Sequence, residues 1–348
     1  MTFRVLVRVD AGPGIGGGHV MRCIALTLEL RRLGWQIEFA CHPESLEAVP
    51  DLAAWDVTMV QGSPEQQFAS LLDRGARFDL LVVDHYGLDA SFEDGVRSLA
   101  GTIAVIDDMP GHRSHRADIL IDGSPGRTEA DWTDQCAATR ILAGTDFALV
   151  RDAVTQAREP SLRRRSSTEP VSNILVSFGL SDSGNATAPA IAAARVAFPS
   201  SRIDVVIGRA SAHRDCIQHI AEMHGAVVHV APKNYIDLLV AADLAIGAGG
   251  VSALERACLG VPSVVVETAG NQHDGIEALK AERAIIFAGR TADLAGGWPN
   301  GILELDAALC AELSQRSAAL IDGLGASRTA DALDRQLGAN AASGRLQS

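Results

Sequence analysis

No apolar run in this sequence approaches the roughly 20 residues needed to cross a bilayer. The N-terminus also lacks a charged segment followed by an apolar core and a cleavage site, so no secretory signal is read and the cytoplasm is the expected compartment. Positive charge is in the minority, with 30 Lys and Arg against 43 Asp and Glu, a net charge of −13. That balance argues against nucleic acid or an anionic membrane as the main partner, and no obligate protein partner is evident. No CxxC pair occurs. The six cysteines, Cys23, Cys41, Cys136, Cys216, Cys258 and Cys310, lie far apart and are expected to be buried free thiols. His112 and His115 form H-x-x-H, but in an arginine-rich stretch with no third ligand, so a surface loop is expected there. No metal site and no cofactor are expected.

What remains has the balance of a soluble globular protein, 47% hydrophobic and 21% charged. Its 348 residues are enough for two domains with sizeable cores. Short apolar runs alternate with 3.6-residue periodicity: 3–9, 35–41, 56–60, 80–84, 102–108, 117–122 and 141–144 read as strands, and HVMRCIALTLELRRLG (19–34) as a helix. The alternation breaks at 155–172, which has two prolines, four serines and the run Arg163–Arg165, and reads as a solvated linker. It restarts with strands at 173–179, 203–208, 226–231, 243–250, 263–267 and 284–289, followed by two closing helices over 307–337. The expectation is therefore an α/β protein: a first domain at 1–154, a linker at 155–172, a second domain at 173–337 and a flexible tail at 338–348. Parallel sheets bind ligands outside the carboxyl ends of their strands, so a cleft between the two domains is the expected site.

Two glycine loops bear on chemistry. The first, AGPGIGGGHVMRC (11–23), contains G-x-G-x-x-G between a strand and a helix. A dinucleotide site is disfavoured, because the second strand ends Ala40-Cys41-His42 without the acid that would hold a ribose. The absence of lysine rules out a P-loop. The alternative is that Gly17 and Gly18 leave space above the backbone for substrate and present His19 at a helix start. There it is either a general base or a local cap. The second loop, IGAGGVSALERACLGVP (246–262), ends a strand at Gly249 and Gly250 and opens a helix at Val251 and Ser252. Free N–H groups at that helix start suit a diphosphate. Glu255, about one turn in, is placed to accept from two ribose hydroxyls or to stabilise the helix start. Asn271 and Gln272, after the next strand, either bind a sugar's hydroxyl and acetamido groups or make a turn.

These blocks, together with LVVDHYGLD, VIDDM and ILVSFGLSD, resemble the UDP-sugar hydrolase family of pseudaminic acid biosynthesis, which acts on UDP-2,4-diacetamido-2,4,6-trideoxy-β-L-altropyranose. The resemblance runs from residue 4 to about 285, and G-H-V-M-R-C is its most specific part. It implies two Rossmann-like domains facing a cleft, as in the related peptidoglycan N-acetylglucosaminyltransferase (a GT-B-like fold). It further implies a metal-independent hydrolase with His19 as catalytic base and Tyr86 and Asn271 at the sugar. Gly249, Gly250, Val251, Ser252 and Glu255 would then hold UDP, with Gly179 and Ser181, near Ser177, bordering the nucleotide. Asp84 is a candidate to orient a side chain, or only a turn former. Two departures stand out: Leu180 where the family usually has glycine, and IDGSPGR (121–127) where it usually carries Asn or Gln. The competing readings are a glycosyltransferase of the same architecture and a non-catalytic nucleotide-sugar-binding protein.

Overall fold

The structure, a computed structural model, describes residues 2–73, 75–136, 138, 140–166, 169–182, 184–209, 211–296, 298 and 305–345. The chain divides into two compact units. The first comprises Met1–Gly12, His19–Leu149 and Leu324–Ser348, and the second Pro13–Gly18 and Val150–Gly323.

The first unit is built on seven strands: β1 Arg4–Val9, β2 Gln36–Cys41, β3 Asp56–Met59, β4 Phe78–Asp84, β5 Ala100–Ile106, β6 Ile119–Asp122 and β7 Arg140–Ala143. They form one parallel sheet in the order β3-β2-β1-β4-β5-β6-β7. Strands such as β1 and β4 are buried on both faces, which is why they read as predominantly apolar runs rather than alternating ones. The second unit repeats the plan with β8 Asn173–Ser177, β9 Arg202–Ile207, β10 Val227–Val230, β11 Leu244–Ala248, β12 Ser263–Glu267 and β13 Ile286–Arg290. Their order is β10-β9-β8-β11-β12-β13, again all parallel. Each sheet reverses its winding once, between β1 and β4 and between β8 and β11. Such switch points leave a crevice at the strands' carboxyl ends.

Three expectations are corrected. The closing helices do not both belong to the second domain. The helix Gly325–Arg345 sets Ala326, Ala330, Leu333 and Leu337, a helical stripe, into the core of the first unit. Trp35 Nε1 anchors it by donating to Asp334 at 3.2 Å. The helix also runs through much of the stretch expected to be a flexible tail.

The expected linker is largely the helix Asp152–Arg164 of the second unit. Its arginines satisfy carbonyls that end other helices. Arg158 donates to Ala318 O at 2.8 Å and Ile321 O at 3.0 Å, and Arg165 to Ala242 O at 2.6 Å. Arg164 pairs with Asp243 at 2.5 Å, and only Arg163 of the run bonds solely to an exposed neighbour, Glu159. The composition looked solvated because the residues that cap carbonyls are the same ones that dissolve loops.

The H-x-x-H stretch is likewise not wholly surface. His112 is exposed, but His115 is 3% exposed, held between Glu93 Oε1 at 2.7 Å and Asp107 Oδ2 at 2.9 Å. Two buried carboxylates need a cation, and a doubly protonated imidazole supplies it. Five cysteines are buried and free, while Cys216 is exposed. Among the described residues no helix is long and apolar enough to cross a membrane.

Candidate functional site

Register places the first set of residues. Val9, the last residue of β1, pairs with Asp84, the last of β4, so Asp84 stands at the switch point. The glycine loop leads from there into the helix Gly18–Arg32. Residues three and four apart share a helix face, and His19, Arg22 and Cys23 all turn to Asp84. His19 Nδ1 donates to Asp84 Oδ1 at 2.5 Å. Arg22 makes a two-pronged bond to the same carboxylate, both arms at 2.7 Å, and the Cys23 thiol lies 3.4 Å from Oδ2. The H-V-M-R-C spacing is thus a set of side chains gathered on one buried acid.

The network continues to β5. Arg22 Nη1 donates to Asp108 Oδ2 at 2.8 Å, and Tyr86 OH donates to Asp108 Oδ1 at 2.6 Å. The Tyr86 ring meets His19 edge-on, with centroids 4.5 Å apart, and Arg113 lies 5.0 Å over it. Tyr86, Asp108, Arg22, Asp84 and His19 therefore form one continuous chain of hydrogen bonds. Burial pushes the Asp84 carboxyl up, but the Arg22 guanidinium and His19 more than cancel that, holding it well below the usual carboxylate range. With a carboxylate held as an anion on Nδ1–H, Nε2 is the ring nitrogen placed to accept a proton. Burial and the Asp108 carboxylate push the Tyr86 phenol up, so it stays a donor.

Neighbouring groups hold this chain in place. His85 Nε2 lies 3.2 Å from Asp10 Oδ2, whose other oxygen accepts from His42 N at 2.7 Å. Arg127 pairs with Asp122 at 3.3 Å and donates to Asp108 O at 3.4 Å. The 121–127 departure from the family pattern thus supports the loop that carries Asp108. Among the described residues no group of three or more His, Cys, Asp or Glu side chains is placed to hold a metal ion.

The second set lies at the other switch point, where Gly247 of β11 pairs with Ser177 of β8. Gly250 precedes the helix Val251–Cys258, whose N-terminus has no side-chain cap. A Cβ on Gly249 would stand 2.4 Å from Ile276 Cδ1, so a larger residue there requires the buried Ile276 side chain to move. Gln272 Oε1 accepts from Gly249 N at 3.2 Å and Thr268 N at 3.0 Å. Its amide oxygen therefore braces the loop. Asn271 stands half-buried on the turn Gly270–Gln272.

Glu255 is 3% exposed, and both its oxygens accept from Arg151, at 2.5 and 2.6 Å. The carboxylate expected on the ribose is occupied by a guanidinium. Gly179 has φ +84, a left-handed conformation that demands glycine, whereas Leu180 is absent from the residues of positive φ and is 36% exposed. Leucine thus fits where the family has glycine. Ser181 follows it, half-buried, and Gly17 and Gly18 lie at the entry to the His19 helix.

Sequence reasoning did not single out Arg22, Asp108, Arg151 or Arg256. The i, i+3 spacing of His19 and Arg22 was a usable signal. Arg151 bonds Glu255, 104 residues away, and Asp108 bonds Tyr86 and Arg22, 22 and 86 residues away, beyond any local pattern.

The architecture defines an α/β protein of two Rossmann-like, parallel-sheet domains, a GT-B-type fold. Acinetobacter baumannii MurG shares it with a TM-score of 0.65 at 13% identity, over 96% of this chain and 100% of that one. A spinosyn rhamnosyltransferase shares it with a TM-score of 0.59. No protein-family model matches the chain. In sequence, it is 27% identical over 274 residues to the spore coat polysaccharide biosynthesis protein SpsG of Bacillus subtilis, spanning 78% of this chain and 79% of that protein. It is 24% identical over 156 residues to the UDP-2,4-diacetamido-2,4,6-trideoxy-beta-L-altropyranose hydrolase of Campylobacter jejuni, over 44% of this chain and 54% of the hydrolase.

Proposed function

We propose that this protein hydrolyses a UDP-linked 2,4-diacetamido-2,4,6-trideoxyhexose, releasing UDP by attack of water at C1 with inversion, in nonulosonic (pseudaminic) acid biosynthesis. The observation that carries the reading is the His19–Asp84 pair, 2.5 Å apart and clamped by Arg22. Such a pair fixes an imidazole in the tautomer that takes a proton from water. Similarity to the Campylobacter jejuni hydrolase supports the substrate class. In this reading Tyr86, Gly17, Gly18 and Asn271 serve the sugar, and Gly249, Gly250, Val251 and Ser252 hold the diphosphate. Glu255 serves the ribose, with Gly179 and Ser181 beside the nucleotide. Gln272 supports the site by bracing Gly249. The uncapped helix at Val251 supplies N–H donors to the charge that develops on the leaving UDP.

A glycosyltransferase reading has support of its own, since a spinosyn rhamnosyltransferase shares the fold and SpsG is named for polysaccharide biosynthesis. One experiment divides the readings: the purified protein with the UDP-sugar and no acceptor, in ¹⁸O-water. A hydrolase releases UDP rapidly and places the label in the free sugar. Negligible release without an acceptor supports the transferase. Label in the β-phosphate of UDP makes phosphorus the electrophile and removes the role given to His19.

A further inference from the structure

A buried cation lies under the second unit's glycine loop with no anion against it. Arg256 is 2% exposed. Its Nη2 donates to Ala248 O at 2.7 Å, its Nε to Ser263 Oγ at 3.2 Å and its Nη1 to Ser252 Oγ at 3.2 Å. All three acceptors are neutral. Among the described residues no carboxylate oxygen comes within 4.0 Å of it, because the adjacent Glu255 is turned to Arg151. With Arg151 and Glu255 cancelling, one positive charge is left over.

The backbone is shaped around this side chain. A Cβ on Gly247 would stand 2.3 Å from Ser177 O and 3.0 Å from Arg256 Nη1. A guanidinium withdrawn from water among neutral groups is costly unless an anion approaches, and burial indeed pushes Arg256 down from its ordinary value. The approachable side is the uncapped helix start, where Ser252 is half-exposed. Because Ser252 Oγ accepts from Arg256, its own O–H is left to donate elsewhere.

We propose that Arg256 is the built-in counter-charge of the diphosphate. It is a positioning residue that touches no ligand, aims the Ser252 hydroxyl at a phosphate oxygen and adds positive charge behind the helix N-terminus. This rests on the reading of the loop as a nucleoside-diphosphate site and assigns the charge that site would otherwise lack.

The test is titration calorimetry with UDP, uridine and inorganic pyrophosphate on the wild type, Arg256→Gln, Arg256→Lys, Ser252→Ala and the Arg256→Gln/Ser252→Ala double variant. Arg256→Gln is expected to weaken UDP about tenfold or more, the scale of one partly buried charge. Uridine, which lacks the phosphates, should change by less than about twofold, Arg256→Lys should recover part of the loss, and the double variant should lose little more than Arg256→Gln alone. Parallel losses of UDP and uridine, or unchanged UDP, overturn the inference, leaving Arg256 a fastener between β11 and β12. Should Arg256→Gln fail to fold, Ser252→Ala and Arg256→Lys report the same UDP-to-uridine ratio. A wild type that binds neither UDP nor pyrophosphate overturns the nucleotide reading itself, and this inference with it.

Discussion

The two sheets reverse their winding at equivalent places, yet the two places are furnished in opposite ways. At the first, Val9 against Asp84, a histidine and an arginine converge on one aspartate, at 2.5 and 2.7 Å, and the network leads on to Asp108 and Tyr86. At the second, Gly247 against Ser177, the residues are glycine and serine, and the nearest charge, Arg256, is buried behind them. The contrast suits the division of work proposed for the two ends. A base must be held in one tautomer and orientation, which calls for fixed charges around it. An anion-binding end must keep its donors unfilled, which calls for bare backbone.

The comparison breaks most visibly at His19. His19→Ala is expected to lower kcat by about 10²–10⁴, the contribution of a positioned base, while UDP affinity, which the proposed function assigns to the other unit, stays within about twofold. Asp84→Asn should lower kcat less, and it should also lower the urea midpoint because buried Arg22 loses the carboxylate charge at its two-pronged bond and keeps only the pair with Asp108. Equal losses of UDP affinity in both variants would mean that the two ends do not divide the work in this way.

The second end was the more legible of the two in the sequence. Its loop is contiguous: strand, glycines, helix start and Glu255 fall within a dozen residues, so local rules suffice. The first end showed only His19, Tyr86 and a weighed Asp84, because its logic is assembled from three strand ends and one helix. The strands themselves were readable throughout, since doubly buried parallel strands are apolar runs. What failed was the assignment of polar, arginine-rich stretches. The 155–172 segment and the H-x-x-H loop look solvated by composition, but their cations are spent on carbonyls and buried acids. Composition does not reveal where a charge finds its partner.

The charged end should also make itself felt in the pH dependence of stability. Burial lowers the His115 imidazole, but its hydrogen bonds to the Asp107 and Glu93 carboxylates outweigh that and raise it from 6.5 to about 9. Arg113, bonded to Asp107, and the Arg116 N–H, bonded to Glu93, also face this cluster. A folded-state value above the unfolded one contributes stability that is fully present below pH 6.5 and lost as the pH rises through about 9. The contribution is on the order of 3 kcal/mol. Urea unfolding at pH 6 and pH 10 should show a larger loss for the wild type than for His115→Gln. Equal losses would mean that His115 is not the charged partner of those acids. Glycine-loop variants of the second unit should leave this difference untouched.

The smallest effect sharpens the comparison from the other side. Glu255→Ala is expected to weaken UDP by about 1–3 kcal/mol, the range for hydrogen bonds to a charged group. The ribose belongs to the nucleoside, so uridine should weaken by a similar factor, unlike the phosphate-selective loss expected at Arg256. Both Glu255 oxygens are bonded to Arg151, but each carboxylate oxygen has a second acceptor site, so ribose hydroxyls can share the carboxylate with the guanidinium. If they do, Arg151 serves to hold Glu255 in place. Arg151→Ala should then cost less than Glu255→Ala, and adding it to Glu255→Ala should cost little more. If Glu255→Ala leaves UDP and uridine binding unchanged while lowering the urea midpoint, the Arg151–Glu255 pair is structural only, and the ribose must be held by other residues.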